Sequence, residues 1–239
     1  MLGGMQTTLA QYNETSSTES FTLQNSKLLK VHLDQVTVQA KLGSMVAYQG
    51  EVKFEHAGSG GLGRLVKKAV SGEGQSLMKV TGSGEVFLAD TAQDVHLIYL
   101  EGEKVTVNGK NILAFDAGID WDIERVQGGA SAMMAGGLWN VALKGTGWVA
   151  ILSDGPPVLL NVTQAPTFAD AQAAITWSQG VTTSIKTDVN LKTFIGRGSG
   201  ETLQMAFGGE GWVLVQPSEG RIAAAPSSGG GGLGGLLGN

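Results

Sequence analysis

The stretch Gly145-Thr146-Gly147-Trp148-Val149-Ala150-Ile151-Leu152-Ser153-Asp154 sets two glycines around one polar residue and follows them with an apolar, partly β-branched run. Such a run reads as a strand entered through a close backbone bend. The same design stands at Gly82-Ser83-Gly84-Glu85-Val86-Phe87-Leu88-Ala89-Asp90 and at Gly209-Glu210-Gly211-Trp212-Val213-Leu214-Val215. The first glycines are 63 and 64 residues apart. A second marker keeps step: an aromatic follows a small residue at Ala47-Tyr48, Ala114-Phe115 and Thr176-Trp177, at intervals of 67 and 62. After each aromatic comes an alternating segment around Val52-Lys53-Phe54-Glu55, Ile119-Asp120-Trp121-Asp122-Ile123-Glu124 and Val181-Thr182-Thr183-Ser184-Ile185-Lys186. Period two means one packed face and one wet face.

Composition points the same way. A chain of 239 residues with 42% hydrophobic residues can bury a core, and 37 glycines against only 15% charged residues favour turns and close backbones over long helices. The absence of cysteine excludes disulfides, thiolate metal sites and cysteine nucleophiles. A net charge of −5 argues against nucleic acid as the main partner, because phosphate binding needs a basic surface. No basic or sustained apolar segment opens the chain, and no window approaches the ~20 apolar residues that span a bilayer, so a soluble cytoplasmic protein is expected.

The chain is therefore expected to be all-β, with one unit used three times: strand, turn, strand, glycine-rich insert, strand, glycine bend, strand. The boundaries fall at 1–20 for an N-terminal lead-in, 21–220 for the β domain with units near 21–90, 91–154 and 155–220, and 221–239 for a flexible glycine-rich tail. Each unit is too small to hide its own apolar face, so the three should stack about a pseudo-threefold axis. Asn108-Gly109 carries the signal of a type I′ hairpin.

Several of these residues also carry a family resemblance. Gly43-Ser44-Met45-Val46-Ala47-Tyr48, the glycine-rich 60–74 with Leu65-Val66-Lys67-Lys68, Gly82-Ser83-Gly84-Glu85-Val86-Phe87-Leu88, and Val107-Asn108-Gly109 with Ala114-Phe115-Asp116 resemble the AIM24 family of bacterial and mitochondrial proteins. The resemblance spans about 21–218. It implies three tandem β-sandwich or double-stranded β-helix units like the subunit of the trp RNA-binding attenuation protein, with trimers completing a nine-unit ring. It supplies no catalytic residues, and fungal members of the family are linked to organisation of the mitochondrial inner membrane.

Candidate sites are few. His32, His56 and His96 lack the paired spacing of a metal site, and no metal or cofactor is expected. Asp116, Asp120, Asp122 and Glu124 form the densest acidic run, read as a solvated strand face or, alternatively, a weak oxygen-ligand cation site. Gly196-Arg197-Gly198-Ser199-Gly200 lacks the strand-before, helix-after setting of a dinucleotide fingerprint. In Leu62–Val70, helical spacing would gather Leu62, Leu65, Val66 and Ala69 on one side and project Arg64, Lys67 and Lys68 on another, a candidate contact for an anionic membrane surface or a protein partner. In the tail, Leu233, Leu236 and Leu237 are candidates for docking another protein. The favoured reading is a non-enzymatic homo-oligomeric scaffold or adaptor. The alternative is a small-molecule or carbohydrate-binding β module with its cleft near Trp148 or Trp212.

Overall fold

A computed structural model describes residues 8–56, 77–125, 139–186 and 204–218. The basic segment with Arg64, Lys67 and Lys68 and the tail with Leu233, Leu236 and Leu237 lie outside those residues, as does the Gly196–Gly200 string. Fourteen strands are described: β1 (Phe21–Asn25), β2 (Leu28–Lys41), β3 (Met45–His56), β4 (Leu77–Leu88), β5 (Asp94–Asn108), β6 (Ile112–Asp116), β7 (Asp120–Arg125), β8 (Trp139–Ser153), β9 (Val158–Asn161), β10 (Thr167–Asp170), β11 (Ala174–Ser178), β12 (Val181–Lys186), β13 (Gln204–Gly209) and β14 (Trp212–Val215). The chain is all-β and its sheets are antiparallel; the helical elements among the described residues are 3-10 turns.

The strands fall into one sheet of order β3-β4-β2-β6-β8-β5-β11-β14-β9, with β1 on β2 and β7 on β8, and a second of order β10-β13-β12. In each third of the chain the last strand lies between earlier strands of that third. β4 is flanked by β2 and β3. β8 is flanked by β5 on one side and by β6 and β7 on the other. The broken strand β13/β14 is flanked by β10 and β9 and by β12 and β11. Neighbouring thirds join where β2 pairs with β6 and where β5 pairs with β11.

The glycine bends sit on these middle strands. Gly84, Gly147 and Gly211 have φ of 144°, 144° and 138°, which an L side chain rarely adopts. Two residues beyond them, Val86, Val149 and Val213 face Tyr48, Phe115 and Trp177 across the sheet. The register shifts just before each aromatic as well, at Met45/Ala47, Ile112/Ala114 and Ala174/Thr176.

Burial follows the alternation. Val52 and Phe54 are half-buried between exposed Glu51, Lys53 and Glu55, and half-buried Trp121 separates exposed Asp120 and Asp122. Three clusters form the core: one around Leu29, Val31, Val86 and Leu88, one around Val107, Phe115, Leu143 and Val149, and one around Trp177, Met205, Phe207 and Val213.

The Asn108-Gly109 hairpin does not form. Gly109–Asn111 is a 3-10 turn, and Asn108 has φ −60°, its side chain accepting from the Lys110 N–H. The reason is topological: β8 lies between β5 and β6, so their link has to cross one strand width instead of folding back.

Before β1 the lead-in is held by groups on β1 and β2, a buried lysine among them. Lys30, 2% exposed on β2, donates to the carbonyls of Thr15 (2.7 Å) and Ser17 (3.2 Å) and pairs with Glu14 at 2.9 Å. Together with Gln24, which bonds the Thr15 N–H and the Asn13 carbonyl, and the His32 N–H, which donates to the Ser20 carbonyl, it lays residues 13–20 alongside the sheet, where Glu19 and Ser20 become one wall of a cavity.

Candidate functional site

The cavity has a volume of about 690 Å³ and is lined by Glu19, Ser20, Tyr99, Asp116, Thr146, Gly147 and Trp148. Its aromatic side is a cross-strand pair. Tyr99 on β5 faces Trp148 on β8 in register, and the rings meet edge to face with centroids 5.0 Å apart. Its acidic side is Asp116, at the end of β6, whose Oδ2 accepts the Trp148 backbone N–H at 2.6 Å. Gly147 makes that approach feasible, since a Cβ there would come within 2.7 Å of the same oxygen.

The sequence places Asp116 in the acidic run with Asp120, Asp122 and Glu124, and the structure separates them. Asp120 and Asp122 are exposed on β7, and Glu124 pairs with Lys104 at 2.6 Å. Asp116 belongs to the cavity, and burial raises its pKa above the ordinary carboxylate range, with the Trp148 N–H pulling the other way. The nearest counterpart shows why this is informative. Ser178 Oγ accepts the Trp212 N–H at 3.0 Å beside Gly211, so a neutral hydroxyl suffices for the backbone role. A carboxylate at Asp116 adds a charge that the bend does not need.

Linkage gives the sign of the consequence. With its folded-state pKa raised, Asp116 contributes stability that is present below the ordinary carboxylate range and lost as pH climbs through the raised value. Asp116→Asn keeps an acceptor for Trp148 and removes that slope. Denaturant unfolding should show wild type losing ground to the variant as pH rises above the ordinary carboxylate range; a difference that stays flat would mean Asp116 is solvated.

His32 and His96 do not converge. His32 Nδ1 lies 2.7 Å from Glu85 Oε1, and His96 Nε2 lies 2.8 Å from Ser153 Oγ, with burial lowering the His96 pKa and Asp94 opposing it. The His56 side chain is outside the described residues. Among the described residues no group of three or more His, Asp or Glu is placed to hold a metal ion. None of the described helices is long and apolar enough to cross a membrane.

The family described as "Mitochondrial biogenesis AIM24" matches residues 21–218. No curated protein matches. Among solved structures, protein SPYM3_0169 from Streptococcus pyogenes aligns with a TM-score of 0.68 at 21% identity, covering 83% of this chain and 92% of that one, a likeness of fold.

Proposed function

The chain belongs to the AIM24 family, and from that premise we propose that it is a non-enzymatic, homo-oligomeric β scaffold or adaptor of the cytoplasm that assembles as a trimer. Internally, it is three copies of one unit, similar to the subunit of the trp RNA-binding attenuation protein, about a pseudo-threefold axis. What supports that arrangement is the pairing order common to the three thirds and the shared register of Tyr48, Phe115 and Trp177.

One observation carries the assembly. Exposed large hydrophobic residues gather on strands at the ends of the strand orders: Met45, Val46 and Tyr48 on β3, Val158 and Leu159 on β9, and Phe168 on β10. Apolar sheet edges template pairing with another chain unless something covers them. Light scattering on the purified chain should therefore give about three times the 24.7 kDa chain mass. A mass of one chain at every concentration would remove the scaffold reading.

The cavity favours a second reading, a small-molecule or carbohydrate-binding module, because an aromatic pair beside a carboxylate suits a hydroxyl-rich ring. A monosaccharide panel that leaves the melting temperature unchanged would dismiss it.

A further inference from the structure

The cavity of the middle third stands where the three thirds of the chain differ most. The residue after each bend glycine faces a strand of its own third: Glu85 faces His32, Trp148 faces Tyr99, and Trp212 faces Asn161. One register position thus holds a His–Glu contact of 2.7 Å in the first third and a tryptophan opposite an amide in the last. The middle third sets two aromatics there. The group beside each bend differs as well, being the backbone carbonyl of Gln49 at Gly84, the Ser178 hydroxyl at Gly211 and the Asp116 carboxylate at Gly147. All three bends are built, so the bend itself requires neither the aromatic pair nor the charge.

Both departures line one space, and its chemistry narrows the ligand. Among the described residues the lining carries two carboxylates, Glu19 and Asp116, and no lysine, arginine or histidine. Glu19 is exposed and Asp116 half-buried. The planes of Tyr99 and Trp148 are inclined at 65°, so the rings form a corner and not a stack. Aromatic faces carry negative potential that attracts a cation, most strongly where water is excluded. Burial raises the Asp116 pKa, and a positive charge beside it would favour the ionised form, whereas a neutral sugar would leave the cost of burying that charge in place. A metal ion gains nothing from the rings, and no group of three or more ligating side chains is placed for one among the described residues.

We propose that the cavity binds a small alkylated ammonium ion, its positive head held by the carboxylates of Asp116 and Glu19 and its methyl groups lying against Tyr99 and Trp148. The inference rests on the small-molecule form of the second reading above and names the ligand class. A phosphate joined to the same head would meet two carboxylates, so the ligand is a free cation and not the headgroup of a choline lipid.

Choline and neohexanol, in which carbon replaces the nitrogen, separate charge from shape. Calorimetric titration of the full chain at low salt should show saturable choline binding, with neohexanol at least about tenfold weaker. That comparison needs no variant. Asp116→Asn, which keeps an acceptor for the Trp148 N–H, should weaken choline about tenfold or more. Trp148→Leu should weaken it about threefold or more, and Glu19→Gln, at an exposed position, about twofold. Each variant is first shown to melt cooperatively. If neohexanol or a monosaccharide binds as tightly as choline, the cation assignment falls and the binding module stands. Choline bound equally by wild type, Asp116→Asn and Trp148→Leu would put its site elsewhere and overturn the inference. Phosphatidylcholine vesicles bound as well as choline would overturn the free-cation assignment. If choline, neohexanol and the monosaccharides all fail to bind, the inference and the binding-module reading fall together.

Discussion

Phe115→Ala should cost about 3–5 kcal/mol of unfolding free energy, close to the top of the range for core truncations. Phe115 is fully buried on a strand that pairs with β8 of its own third and β2 of the third before it. The cavity left behind would loosen two interfaces at once, at a site framed by two ladders. Tyr48→Ala supplies the control. It sits at the matching register but half exposed, so at concentrations where the chain is monomeric its cost should stay near 1 kcal/mol. Urea unfolding of the two variants would measure the contrast, and equal costs would mean that Phe115 is not the keystone its burial indicates.

Gly84→Val should cost about 3 kcal/mol or more, combining backbone strain with overpacking. The sequence alone suggests equal costs at Gly84, Gly147 and Gly211, and their φ values do agree. Their neighbours do not. A side chain at Gly84 would run into the backbone carbonyl of Gln49, held in the β3–β4 ladder, whereas at Gly211 it would meet the hydroxyl of Ser178 and at Gly147 the carboxylate of Asp116. A side-chain oxygen can swing aside and a laddered carbonyl cannot. Gly84→Val should therefore be the most damaging of the three valine substitutions by denaturant unfolding. Equal costs at the three positions would mean that strain alone governs these bends, and a worse Gly211→Val would mean that the clash with the laddered carbonyl does not decide the order.

The bends and aromatics were legible because each answers to a local rule: positive φ selects glycine, and alternation selects a buried face. Asp116 was not legible as a site residue. Four residues from Asp120 it reads as part of one acidic face, and only the link at Ala117–Ile119 between β6 and β7 turns it toward Tyr99 and Trp148. Turn chemistry misled in both directions. Asn108-Gly109 looks like a tight reversal and is not one. Thr91 and Ala92 take φ of 45° and 56°, with the Gln93 N–H bonded to the Asp90 carbonyl, although neither residue type advertises a left-handed bend. In each case the path between non-adjacent strands set the geometry. The cavity wall at Glu19 and Ser20 likewise rests on bonds from β2, the His32 N–H to Ser20 and buried Lys30 to Thr15 and Ser17, which no local pattern announces.

The β2–β6 pairing also sets a timetable for the ribosome. β2 is complete at Lys41, but the strand that covers its outer side at Val38–Ala40 ends at Asp116, 75 residues later. At about 5–20 residues per second, the emerging chain carries that bare edge for about 4–15 s. β5 then waits about as long for β11. Slow codons placed between the two strands would lengthen each exposure, so the nascent chain's demand for chaperones should peak twice during synthesis, once for each junction still awaiting its second strand.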